Sequence, residues 1–124
     1  MKIPYWTDTV TVFSKTTAEN GRVNWISEVY SNCFWKSRAL RERSGGAEFS
    51  LNGYVCRIPG IIDGVNIGDI IVYGAVNDAI DEYSTGKRSS DLIQKYTGRC
   101  MTVSAVRFNK GPVPSLNHLY TEGS

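Results

Sequence analysis

The sequence predicts a mainly β fold: a small β-barrel or sandwich of about six strands with one short helix and a long inserted loop. Three observations carry the prediction. Thr9-Val10-Thr11-Val12-Phe13 and Arg99-Cys100-Met101-Thr102-Val103-Ser104-Ala105-Val106 alternate, the period of a strand with one buried face. Gly68-Asp69-Ile70-Ile71-Val72-Tyr73-Gly74 is a short apolar run between glycines. Turn signals punctuate the chain without any strand–helix–strand rhythm.

The first strand spans residues 9–14, with Val10 and Val12 on one face and the threonines on the other. Asn20-Gly21 is a turn dipeptide, because both residues tolerate positive φ. A second run, residues 23–36, holds Trp25, Ile26, Val29, Tyr30, Phe34 and Trp35. It is long for one strand, so a bulge or break is expected near Ser31-Asn32. Residues 37–48 then change character: Arg38, Arg41, Arg43 and a Gly45-Gly46 hinge suit a long exposed loop or an extended hairpin. Strand character returns over residues 49–58, with a turn signal at Asn52-Gly53 and a stop at Pro59-Gly60, since proline removes a ladder donor.

Residues 69–76 form the next strand, and residues 78–83 are a loop or a short strand that turns Ile80 inward. The helical signal follows. Ser89 or Ser90 caps it, Asp91 lies in its first turn, Leu92, Ile93 and Tyr96 share a face, and Gly98 stops it. About two turns cannot stand alone, so this helix must pack on the sheet. Residues 99–108 are the clearest strand, Asn109-Lys110-Gly111-Pro112 turns the chain, and residues 117–121 add a final edge strand.

A chain of 124 residues, 41% hydrophobic, suffices for a single domain over 1–124 with a real core. A formal net charge of +2 is nearly neutral, and a free-standing nucleic-acid binder is usually more basic. Any DNA contact must therefore be local or multiplied by oligomerisation. No apolar stretch approaches the roughly 18 residues of a membrane span, and residues 1–4 lead into a polar strand with no signal-peptide core. Cys33, Cys56 and Cys100 have no CxxC spacing. They are expected to be buried free thiols of a reducing compartment.

No catalytic, cofactor or metal constellation stands out. His118 is the only histidine; a catalytic base needs a nucleophile or an orienting carboxylate held against it, which spacing alone does not show, and beside Leu119 and Tyr120 it suits a strand or interface position. Asp78, Asp81 and Glu82 lack the glycine and glutamate positions of a calcium loop. The glycines form neither GxxxxGK[ST] nor GxGxxG. Arg38, Arg41 and Arg43 remain, either an ordinary solvated loop or a patch for phosphates or a neighbouring subunit's carboxylates. One or two of Trp6, Trp25 and Trp35 belong to the core, and an exposed one suits a subunit interface. A fold without chemistry works by shape, as a binding or assembly module.

The order of Asp8-Thr9-Val10-Thr11-Val12-Phe13, the turn at residues 17–22, Asn32-Cys33-Phe34-Trp35, Cys56-Arg57-Ile58-Pro59, residues 68–74 and Leu116-Asn117-His118-Leu119-Tyr120 resembles small head–tail connector proteins of tailed bacteriophages, of the head-completion or stopper type. The resemblance spans nearly the whole chain. It implies a homo-oligomeric ring beneath the portal of the virion, assembled in the host cytoplasm and located at the neck. Portal or adaptor proteins would lie above it and tail proteins below. Such a ring extends the DNA channel, retains the packaged genome through non-specific lumen contact and docks the tail. Residues 37–48 match the family's long loop, so Arg38, Arg41 and Arg43 are expected to face the channel or an adjacent subunit. The alternatives are a tail-terminator or other neck or tail assembly protein, and an OB-like nucleic-acid-binding module.

Overall fold

The structure, a computed structural model, describes residues 5–44, 47–60, 65–113 and 116–124, with the backbone alone for residues 38–44 and 47–52. The strands are β1 (Asp8–Thr17), β2 (Val23–Ser44), β3 (Ala47–Pro59), β4 (Ile70–Tyr73), β5 (Cys100–Asn109) and β6 (His118–Gly123). Helix α1 (Ser89–Lys95) lies between β4 and β5 in sequence. The six strands close into an antiparallel barrel in the order β1-β2-β3-β6-β5-β4. The fold class read from the sequence is therefore correct, and the barrel is the right choice over the sandwich. Closure corrects one expectation: β6 is no edge strand but sits between β3 and β5, and a closed wall leaves no free edge.

The two-residue period sorts the core into two clusters. Val10, Val12, Ile71, Met101, Val103, Cys33, Cys56, Ile58 and Leu119 fill the barrel interior. The intervening Phe13, Ile70, Val72 and Cys100 face outward, where Ile80 of the 74–88 loop and Leu92 and Tyr96 of α1 cover them. Both faces of β1 and β4 are thus buried. Residues 78–83 form the expected loop, with Ile80 inward. Thr11, fully buried, ties this loop down: its Oγ1 donates to the Gly74 carbonyl at 2.8 Å and accepts from the Val76 N–H at 3.1 Å. Thr11→Val would strand both backbone groups, so it is expected to cost about 1–3 kcal/mol in a denaturant titration. An unchanged midpoint would contradict this account of the loop.

The helix begins at Ser89, with Arg88 and not a serine as its N-cap. Ser89 instead belongs to Glu82, whose carboxylate accepts from the Ser89 N–H at 2.6 Å and from its Oγ at 2.9 Å. Leu92 and Tyr96 are buried as expected, but Ile93 is 37% exposed. At the other end Asp78 accepts from the Lys95 ammonium and the Tyr96 hydroxyl. Those two bonds hold the Asp78 carboxyl below its ordinary 3.8. A depressed folded value stabilises above the unfolded value and is lost as pH falls through the folded one. The melting difference between the wild type and Asp78→Asn is accordingly expected to be flat above about pH 5 and to shrink below pH 3.8. A difference that grew on acidification would exclude this role.

The break expected near Ser31-Asn32 is present. Asn32 has φ +57°, and the β1–β2 register slips by one residue between Asp8↔Cys33 and Val10↔Tyr30. This bend lets β2 serve two neighbours: residues 23–33 pair with β1 and residues 34–44 with β3. The Asn20-Gly21 turn also forms, with Gly21 at φ +83°. The Asn52-Gly53 signal is overridden, because β3 runs straight through it with Asn52 opposite Ala39 and Gly53 opposite Arg38.

Gly123 shows how tightly the end of the wall is closed. It is in register with both Tyr54 and Val103, and a Cβ built on it would lie 2.0 Å from the Thr102 carbonyl oxygen. Backbone must move to admit a methyl group. Gly123→Ala is therefore expected to cost about 1–3 kcal/mol by chemical denaturation.

Candidate assembly arm and basic barrel face

Of the two readings of residues 37–48, a long exposed loop or an extended hairpin, the structure gives the hairpin: a two-stranded arm. β2 leaves β1 after Cys33, and β3 meets β6 only from Tyr54 onward. From Arg38↔Gly53 to Ser44↔Ala47 the two strands pair only with each other among the described residues. Seven residues of extended chain reach roughly 20 Å beyond the wall. Its root is fixed by side chains. Trp35 stacks on Tyr54 at 5.1 Å and on Tyr73 at 5.8 Å between ring centroids. The Asp8 carboxylate accepts from the Trp35 N–H at 2.9 Å and from the Tyr73 hydroxyl at 3.2 Å.

Arg38, Arg41 and Arg43 all lie on the β2 side of this arm, in register with Gly53, Ser50 and Glu48. The structure therefore gives them a paired strand and corrects the alternative of a free loop. The sequence left loop and hairpin open because two-residue alternation needs a buried face to become decisive.

The other candidates resolve into structural roles. Asp78, Asp81 and Glu82 are spent separately on Lys95 and Tyr96, on the Tyr83 N–H and on Ser89. Among the described residues no cluster of His, Cys, Asp and Glu could hold a metal ion, and no helix is long and apolar enough to cross a membrane. Cys33, Cys56 and Cys100 are buried free thiols, as expected. Burial, with the Asp8 charge second, pushes the Cys33 thiol up to about 12, and burial also raises Cys56 and Cys100. Such thiols stay protonated and unreactive at neutral pH. Trp25 and Trp35 pack against the two cores. Trp6 meets the edge of His118 at 5.1 Å and lies 6.0 Å from Phe34.

On the outer face of β3, β6 and β5 the register builds a rung that sequence spacing does not reveal. Arg57, Tyr120 and Arg107 are cross-strand neighbours. The Arg57 guanidinium lies 4.7 Å from the Tyr120 ring centroid and that of Arg107 4.4 Å from it. The adjacent rung holds Asn109, His118 and Pro59. Arg57 donates to His118 Nε2 at 2.7 Å, and Asn109 Nδ2 donates to the same atom at 3.0 Å. Arginine is an obligate donor, so Nε2 carries the lone pair and His118 Nδ1–H donates to the Leu116 carbonyl at 3.1 Å. Arg107 Nε donates to Asn109 Oδ1 at 3.1 Å. Among the described residues neither guanidinium has a carboxylate partner; Glu122, one rung further along, accepts from the Tyr120 hydroxyl at 2.9 Å.

The chain matches a family of unknown function, DUF6751, over residues 5–124. It belongs to that family. As a DUF6751 member it carries barrel, arm and basic rung all within the matched span. No curated protein and no solved structure matches the chain.

Proposed function

We propose that this chain is a structural subunit of a tailed-phage virion, a stopper-type connector that closes into a ring at the head–tail junction. The observation that carries the reading is the arm. A two-stranded ribbon is marginal in water, and among the described residues the arm has no third strand, so its two outer edges present N–H and C=O groups without a ladder partner. Such edges gain most by pairing with another chain. The arm's place in the chain supports the reading, since it falls where the resemblance to connector proteins implies a long loop. The closed barrel acts as a rigid platform, and the aromatic root sets the direction in which the arm leaves it. Ring contacts are heterologous, so one copy's arm meets a different surface of the next. Around the ring, Arg38, Arg41 and Arg43 repeat once per subunit, and weak contacts to packaged DNA or to neighbouring carboxylates add. Portal and tail proteins are the partners above and below, in the neck of the virion.

The test is a triple substitution, Arg38→Ser with Arg41→Ser and Arg43→Ser. Folding is expected to stay within about 0.5 kcal/mol of wild type, because these positions lie outside the barrel cores. Particle assembly or retention of packaged DNA should fall sharply. Particles that assemble and hold their DNA normally would remove the arginines from the mechanism.

A further inference from the structure

We propose that the Arg57–Tyr120–Arg107 rung is a phosphate-binding site for a nucleic-acid backbone. The site goes beyond the connector reading, since a single chain carries it complete. Three observations point to this ligand. The guanidiniums of Arg57 and Arg107 lie against one ring, that of Tyr120, at 4.7 and 4.4 Å, and each is further held by a hydrogen bond, to His118 Nε2 and to Asn109 Oδ1. Stacked and bonded in this way, the forks lose little freedom when an oxyanion arrives. Neither guanidinium makes an ion pair with a carboxylate among the described residues. Glu122, further along the same face, is bonded to the Tyr120 hydroxyl at 2.9 Å, so two arginines face one carboxylate and the patch keeps a positive balance.

The third observation concerns what surrounds the rung. A protein-binding face has an apolar centre and a polar rim. Here the centre is charged, and the exposed apolar side chains Phe108, Val113 and Leu116 lie off the rung, in a groove of about 430 Å³ at the β5–β6 turn that none of its three members lines. A positively charged centre on a strand face suits phosphodiesters, which guanidinium forks bind without reading sequence. Tyr120 is not a base-stacking platform, because guanidiniums already lie against its ring. The site therefore recognises backbone and not bases.

Fluorescence anisotropy of a labelled random-sequence duplex, titrated with the full chain from about 50 to 200 mM salt, tests the site. The wild type is expected to bind at low salt. The double variant Arg57→Gln with Arg107→Gln should bind roughly tenfold or more weakly, with a log–log salt slope shallower by about two. Tyr120→Leu, which keeps both cations but removes the ring between them, should bind more weakly than wild type. If the double variant melts early, Arg107→Gln alone is read, and its slope should be shallower by about one. Absence of binding by the wild type at low salt, or equal binding by the double variant, overturns the proposal. So does polyglutamate displacing wild-type chain as well as unlabelled duplex does, which would assign the face to an acidic protein. None of these outcomes depends on whether the chain forms a ring.

Discussion

Val103→Asp is expected to leave no folded protein. Val103 is 1% exposed and sits in the barrel interior against the same cluster as Ile71, Met101 and Leu119. Among the described residues no buried cation is there to receive a carboxylate. An unpaired buried charge costs several kcal/mol, a large fraction of the roughly 5–15 kcal/mol that holds a domain together. The backbone at this position makes the loss worse. The Val103 N–H donates to the Asp69 carbonyl at 2.8 Å, and its carbonyl accepts from the Gly68 N–H at 2.9 Å. Displacing the side chain therefore also releases the turn that enters β4. Circular dichroism should show no cooperative melt, while Val103→Ala should melt cooperatively with a loss of roughly 2 kcal/mol. A cooperative transition for the aspartate variant near the wild-type midpoint would mean that the interior is not packed as described.

Removing the arm is expected to do the reverse: spare the fold and end assembly. Ser37 and Tyr54 are register partners at the root, so replacing residues 38–53 with Asn-Gly closes β2 and β3 through a two-residue turn that suits strand twist. Among the described residues, every member of both core clusters lies outside the excised stretch. The Trp35–Tyr54–Tyr73 stack remains as well. The shortened chain should melt at the wild-type temperature or slightly above, since a marginal ribbon has been replaced by a favourable turn. It should remain monomeric at every concentration at which the full chain associates. An arm-less chain that still formed the same assembly would place the subunit contacts on the barrel.

The fold was legible where burial imposes a period. Val10 and Val12, Ile70 to Val72 and Met101 to Val103 alternate or run apolar because the barrel wall requires it, and the strands they mark are β1, β4 and β5. Legibility failed where long-range pairing decides. Nothing local in residues 118–123 says that β6 is flanked on both sides; only the register to β3 and β5 does. The arm was named as a candidate from its arginines, with loop and extended hairpin both open, and the choice between them rests on the backbone ladder from Arg38↔Gly53 to Ser44↔Ala47. The Arg57–Tyr120–Arg107 rung was invisible for a related reason, because its members come from three strands and no spacing rule joins them. The helix cap passed to Arg88 because Ser89 is held by Glu82, a tertiary contact that outweighs cap preference.

Sedimentation of the purified full chain over a wide concentration range tests the central claim most directly, with electron micrographs of whatever species dominates. Mass action onto a closed ring predicts one discrete species at a fixed multiple of 13.8 kDa, seen as annuli with a central channel. A chain that stays at 13.8 kDa throughout, alone and with purified portal rings, would contradict it.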